Sequence, residues 1–536
     1  MKAAVCSLCN TGYGPAEMTR DSWLESDLVR RLAAARRDQV RPQGVCPACL
    51  QEALLHVLLD QGDAALHDGI QSVWPLDAEA AFGALPTPLR MHAHPHYTGR
   101  GITLAMVDAG FYPHPDLTRP RNRIRAWADA SAPRVVSRRF RPDRQPRWPG
   151  WDEAAPWQWH GMMTSASAAG NGRLSHGLYR GVAPDVELVL VQVRARSGGI
   201  SEESIARALS WLADNAASLG VRIVSISVGG STRDPDADNE VHQEVRRLVD
   251  QGITVVAAAG NDGQRRLVPP ATAPEAITIG GLDDKNAFDH EDMAIWHSNF
   301  GVDSNGASKP ELVAPSIWVV APMLPGTPIS KEAAELFKRR AALGPGKREA
   351  EIEEQIARHK LVTPHYQHVE GTSFAAPLTA SVIACMLQAN PELTPALVRH
   401  VLLSASRPVA GAEVERQGAG ALDAGRAVKL ALRETHAPWV AGSLEPRRGS
   451  DAPLILTLHD RNARRAQVVG SWDDWGAPGI PMQLAGPGLW KAAVPELPPG
   501  RHQYKFLVDG TRWQDDPDNP RKTPDGVGGL NSILIV

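Results

Sequence analysis

No stretch of this 536-residue chain reaches the roughly 18 consecutive apolar residues that a membrane-crossing helix needs. The opening, MKAAVCSLCNTGYG, lacks the long apolar run of a secretory leader. Charge of one sign is missing as well. Lys and Arg total 57 against 60 Asp and Glu, a net charge of -3, so the overall balance indicates neither a nucleic-acid nor a membrane partner. Cysteine is scarce, at five residues. Four of them form two CxxC pairs, Cys6/Cys9 and Cys46/Cys49, and Cys385 stands alone in an apolar helical stretch. That pattern suits a reduced compartment better than a disulfide framework, so a cytoplasmic protein is expected. There is no long internal repeat and no low-complexity tract. What is present, 43% apolar and 22% charged residues, is ordinary globular composition, and the length allows two or three domains.

Four regions and a linker follow from patterning. Residues 1–60 hold the cysteine pairs and a helical segment around Leu24–Arg37, and 61–98 read as a proline-bearing connector. From 99 to about 435, strand-like runs alternate with helical patterns. The runs are Ile102–Val107, Val186–Val193, Val221–Val228, Ile253–Ala259 and Ala276–Ile279. The helices are expected at Ser201–Leu219, Asn239–Gln251, Phe374–Ala389 and Pro395–Ser404. Such alternation predicts an α/β fold, a parallel sheet with helices on both faces. Within it, Lys331–Lys360 is rich in Ala, Glu, Lys and Arg and is divided by Gly344-Pro345-Gly346, which reads as an inserted helical hairpin. It either guards a cleft or docks a partner, or it is a tolerated surface insertion. Residues 436–453 form a linker, and short alternating strands over 454–536 predict an all-β module.

Four segments of the α/β region carry chemistry. GITLAMVDAG puts Asp108 at the carboxyl end of a strand, where open α/β sheets gather function. WHGMMTSASAAG begins a run of small residues with His160, and VEGTSFAAPLTASVIACML begins a helix with Ser373. A serine hydroxyl is a weak nucleophile, so an imidazole must take its proton, and a carboxylate must fix that imidazole's tautomer. ITVVAAAGNDG sets Asn261 just past a strand, where its amide and the Ser373 N–H can both donate to an oxyanion.

Asp108-Ala109-Gly110, His160-Gly161, Ala259-Gly260-Asn261 and Gly371-Thr372-Ser373-Phe374-Ala375-Ala376-Pro377 together resemble the subtilisin-like serine proteases over about residues 86–430. The resemblance implies a serine endopeptidase acting on protein or peptide through an Asp-His-Ser triad. It also implies that Ser227, Val228 and Gly229 line one side of the pocket for the residue before the scissile bond, and Ala258, Ala259 and Gly260 the other. The chain departs from the family pattern in two places. Ala109 replaces a hydroxyl residue, and Met162 and Met163 stand where a second histidine is usual. The loop Gly170–Arg180 occupies a calcium-binding position of some relatives without evident ligands, which leaves calcium open. The competing reading is a catalytically silent scaffold that joins its two flanking modules.

Cys6, Cys9, Cys46 and Cys49 can supply four thiolates to one tetrahedral, structural zinc; a redox pair or unpaired thiols are the alternatives. At the other end, VVGSWDDWG, LPPGRHQYKFLVDGTRWQDDPDNP and GLNSILIV resemble the glycogen-binding, early-set immunoglobulin-like modules. That likeness implies sugar stacking on Trp475 and Trp513, with Lys505 and Asn531 bonding hydroxyls. A module that only packs against protein partners is the alternative. Trp148, Trp151, Trp157 and Trp159 precede the catalytic histidine and are expected to close a small core under a loop rather than to form a subsite.

Overall fold

The computed structural model describes residues 4–6, 12–13, 47–61, 84–147, 154–195, 197–230, 239–287, 290, 292–343 and 347–434. Toward the C-terminus it describes 454–460, 463–472, 475, 479–486, 488–494, 497, 501–517, 519, 522–525 and 529–535. The expected helix at Leu24–Arg37, the linker at 436–453, Cys9, Cys46, Trp148 and Trp151 lie outside the described residues. The chain divides into two compact units, residues 1–305 with 309–434, and residues 435–536 with 306–308.

The first unit is built on a nine-stranded sheet. Its strands are β1 (Thr103–Asp108), β2 (Ile124–Asp129), β3 (Val136–Arg139), β4 (Glu187–Gln192), β5 (Val221–Ile226), β6 (Thr254–Ala258), β7 (Ile277–Asp283), β8 (Ala294–Ile295) and β9 (Leu312–Pro315). Their order is β8-β7-β6-β5-β1-β4-β2-β3, with β9 beside β7, and only β3 and β8 run antiparallel to their neighbours. Its helices include α1 (Pro47–Gln61), α2 (Trp159–Ala169), α3 (Glu202–Leu219), α4 (Glu240–Asp250), α5 (Pro328–Ala342), α6 (Lys347–Arg358) and α7 (Thr372–Ala389), followed by the expected helix at Pro395–Ala405. Because strand side chains alternate, each strand feeds two cores. Leu104, Met106, Leu188, Leu190, Ile223 and Val256 pack with α2 and α7. Ala105, Val107, Val189, Val191, Val224 and Val255 pack with α3 and α4. Each fully buried Leu or Val contributes about 1.5–3 kcal/mol. That is why these strands read as continuous apolar runs.

Most boundaries move by one or two residues where polar caps end an element. Ser201 and Asn239 sit just outside α3 and α4 and accept hydrogen bonds from the backbone of the first turn. Strands β2, β3, β8 and β9 fall outside the expected runs, because they are short or carry Arg, Pro or Ser among their apolar residues. Residues 84–98, expected as a connector, are instead part of the core: Leu85, Leu89, Met91 and a buried Arg90–Asp284 pair lie inside it. The inserted segment forms α5 and α6, which share a small core of Ala333, Leu336, Ile352 and Ile356. They connect β10 (Val319–Pro322) to β11 (Tyr366–Val369), an antiparallel pair whose second strand leads directly to Ser373.

The second unit is a two-sheet sandwich. Strands β12 (Leu454–His459), β13 (Ala466–Gly470), β14 (Ile480–Pro481), β15 (Gln483–Gly486), β16 (Leu489–Val494), β17 (Arg501–Val508), β18 (Arg512–Gln514), β19 (Lys522–Pro524) and β20 (Leu530–Ile535) form it. One sheet is ordered β12-β16-β15 and the other β14-β13-β17-β20-β19, with β18 beside β17. Leu458, Val468, Tyr504, Phe506 and Val508 fill the space between them.

Candidate active site

Strand order reverses about β1, which has β4 on one side and β5 on the other. Loops from the two sides part there, opening a crevice at the carboxyl ends of the strands. Asp108 is the last residue of β1 and is fully buried. Its Oδ1 lies 2.6 Å from Nδ1 of His160, the second residue of α2, and also accepts the Ala109 N–H at 2.6 Å. Its Oδ2 accepts from the Thr164 hydroxyl at 2.8 Å. With the carboxylate ionised, Nδ1–H of His160 is the donor, and this leaves Nε2 as the basic nitrogen. Burial pushes the His160 pKa down, but the charge and hydrogen bond of Asp108 more than offset it, so the imidazole sits above its usual range. Gly161 lets α2 approach this closely. A Cβ there would lie 2.3 Å from the Gly110 carbonyl and 3.0 Å from the Asp108 Cβ.

Ser373 is the second residue of α7, in the first turn, where backbone N–H groups have no helical partner. The turn into the helix passes through Gly371 at φ 131°, ψ 152°, a conformation that favours glycine. Ser373 Oγ donates to the Ser227 carbonyl at 3.4 Å, and Ser227 Oγ donates to the Ser373 carbonyl at 2.8 Å. Phe374 sets its ring 6.3 Å from that of His160, so the imidazole lies beside the start of α7.

Asn261 follows β6. Its Oδ1 accepts from the Thr372 N–H at 2.9 Å and the Thr372 hydroxyl at 2.8 Å. Both bonds pin the oxygen and leave Nδ2 as the outward donor, the state an oxyanion donor requires. The loop is tied down further by Asn299, whose Oδ1 accepts from the N–H groups of Asp262 at 2.9 Å and Gln264 at 3.1 Å. Ser227, Val228 and Gly229 follow β5, and Ala258 ends the adjacent β6 with Ala259 and Gly260 just beyond it, Ile226 being in register with Ala257. Neighbouring strand ends thus bring the two triplets side by side.

Three contributors escaped the sequence reading: Thr164, Thr372 and Asn299. Thr164 had a usable signal, since it lies four residues after His160 and so shares its helical face. The tryptophan expectation divides. Trp157 packs on Gly110, where a Cβ would come within 2.1 Å of its ring. Trp159 is 44% exposed and meets the His160 ring edge-on at 5.2 Å, so it does not close a core.

In the second unit, Gln503, Lys505 and Leu507 alternate with the core residues Tyr504, Phe506 and Val508 and so occupy the opposite face of β17. Lys505 pairs with Asp525, and Asn531 Nδ2 donates to Gln503 Oε1 at 2.9 Å. Trp513 stands opposite Leu507 in register and is 49% exposed. Trp475 follows β13 and donates its main-chain N–H to the Gly470 carbonyl at 3.1 Å. In the first unit, Cys6 is buried and Cys49, on α1, packs half-buried against the same core. Among the described residues no three His, Cys, Asp or Glu side chains form a metal-binding group.

The chain matches the subtilase family model over residues 99–420, well over half its length, and it belongs to that family. Its chemistry is that of a serine endopeptidase. Residues 453–536 match the glycogen recognition site of AMP-activated protein kinase. Among similar proteins, the serine protease AprX of Bacillus subtilis is 29% identical over 339 residues, 62% of this chain and 67% of that protein. Subtilisin Savinase of Lederbergia lenta is 30% identical over 189 residues, 35% of this chain and 58% of that protein. The solved structure of the prenylagaramide maturation protease PagA aligns with a TM-score of 0.41 at 19% identity, over 61% of this chain and 93% of that one.

Proposed function

We propose that this subtilase cuts polypeptides internally through an acyl-enzyme on Ser373. His160 Nε2 takes the hydroxyl proton and returns it to the leaving amine. Asp108 holds the imidazole by Nδ1 and stabilises the imidazolium. Asn261 Nδ2 and the Ser373 N–H receive the oxyanion. The observation that carries the reading is the 2.6 Å His160–Asp108 bond, in a carboxylate that Ala109 and Thr164 also hold. Residues 227–229 and 258–260 bind the residue before the cut. A silent scaffold would have no need to retain this set of bonds. Incubation with a denatured protein should yield internal fragments, and none should form with Ser373→Ala; fragments from both proteins would defeat the assignment.

The flanking modules extend the proposal. The exposed Trp513, with Lys505 and Asn531 on the same sheet face, supports binding of an α-glucan by the C-terminal module, Trp475 completing the stacking pair. The cysteine spacing supports one structural zinc on Cys6, Cys9, Cys46 and Cys49, and with it a reduced, cytoplasmic setting. Metal analysis of the full chain should find about one zinc per molecule. Cys46→Ser should release it, and a metal-free protein would remove this part. Calcium at Gly170–Arg180 draws no support from the described side chains.

A further inference from the structure

The near-neutral total hides an uneven distribution. Between residues 119 and 147 the chain carries ten arginines against two acids, Asp129 and Asp143. Eight of the ten arginines are exposed. Nearby acids satisfy only part of this charge. Glu187 takes both Arg121 and Arg125 at 2.9 Å, and Asp143 takes Arg141 at 3.2 Å. Arg139 donates to a neutral partner, the Ser218 hydroxyl, at 2.7 Å. Arg134, Arg138 and Arg144 are exposed and make no ion pair among the described residues.

Arg138 and Arg139 belong to β3, and Arg134 and Arg141 flank it in the chain; this strand ends the sheet and its four residues are all exposed. Among the described residues it pairs on one side only, with β2. An edge strand offers unpaired main-chain N–H and C=O groups to another extended chain. Position matters too. Asp108, Gln192, Asp129 and Val136 stand in register across β1, β4, β2 and β3. Three strand spacings therefore separate the catalytic aspartate from the start of β3, about 14 Å. An extended polypeptide covers that in about five residues.

We propose that β3 and its arginines form a substrate exosite, which receives an acidic, extended segment of the polypeptide being cut, added as a strand some five or more residues from the scissile bond. The inference rests on the endopeptidase reading. An acidic polypeptide fits better than a nucleic acid because it matches both features of the surface, the charge and the open strand edge.

Quenched peptides with one neutral cleavage segment test this. One version carries a glutamate block about six residues away, a second has glutamine there, and a third interleaves proline with the glutamates. The glutamate peptide should be cut about tenfold more efficiently than the glutamine one at low salt, with the advantage shrinking as salt screens it. The variant Arg134→Glu/Arg138→Glu/Arg144→Glu should lose the advantage while cutting a short neutral peptide at the normal rate. The proline peptide should also lose most of it. Equal rates for glutamate and glutamine, or an advantage that survives the triple variant, would overturn the exosite. Undiminished cutting of the proline peptide would overturn strand addition. Binding of the same labelled peptides to Ser373→Ala reads the surface without catalysis. Duplex DNA that binds there more tightly and displaces the acidic peptide would reassign it to nucleic acid. If the wild-type chain cuts no short neutral peptide, the endopeptidase reading fails, and the binding arm still decides the surface.

Discussion

In the catalytic unit Asp108 is fully buried and receives three hydrogen bonds, whereas in the C-terminal module Trp513 is 49% exposed on an open sheet face. The contrast follows from the two chemistries. Proton transfer needs its groups held to within fractions of an ångström, so each reactive side chain is locked by others. Sugar stacking needs a flat apolar face with a polar rim, which a few side chains on a sheet can provide. The first unit should therefore fail steeply when a single atom is removed, and the second only gradually.

The largest effect expected is from Ser373→Ala, which should cost about 10⁶ in kcat with unchanged thermal unfolding. Asn261→Ala should follow at roughly 10²–10³, since the Ser373 N–H remains as a donor. Thr164→Val removes the hydroxyl that donates to Asp108 Oδ2. It should lower kcat about tenfold with little change in KM, as a hydrogen bond to a charged group is worth about 1.5–3 kcal/mol. With that donor gone, less of the carboxylate's charge is taken up by the hydroxyl and more of it acts on the imidazolium, so the acidic limb of the pH–rate profile should move upward. Ala109→Ser in the same chain should restore part of the rate. A profile that stays in place with full activity would make Thr164 a packing residue only.

The direction of the pH dependence follows from His160. Its pKa is raised, so activity should fall as pH drops through a value above the ordinary 6.5, where the base becomes protonated. The stabilising His160–Asp108 charge pair runs the other way. It is fully present below the unfolded pKa and is lost as pH rises through the folded one. The smallest effect belongs to the second unit. Trp513→Ala should weaken glycogen co-sedimentation several-fold and leave peptide hydrolysis untouched, since stacking on one ring is worth about 1 kcal/mol. A change in hydrolysis would break the separation of the two units.

The sequence exposed the reactive atoms more fully than their supports. Asp108, His160, Asn261 and Ser373 stand in segments with few chemical alternatives, and the buried strands around them are unbroken apolar runs. Thr164 and Thr372 were hidden because a threonine in a helix has many uses, and only the fold shows which acceptor it faces. Residues 84–98 read as a connector because prolines and histidines disguise apolar anchors such as Leu85 and Leu89. The basic edge was masked by averaging, as ten arginines in one segment are balanced by acids elsewhere. Cys385 was placed correctly in an apolar helix. Its thiol donates to the Val182 carbonyl, and burial pushes its pKa up to about 12, which makes it inert to alkylation in the folded chain.

The most direct measurement is stoichiometric labelling with a fluorophosphonate probe, followed by mass spectrometry of the modified peptide. The expected result is one adduct per chain on Ser373, abolished by His160→Ala and slowed by Thr164→Val. No adduct, or one on another residue, would contradict a nucleophile at the start of α7 activated by the Asp108–His160 pair.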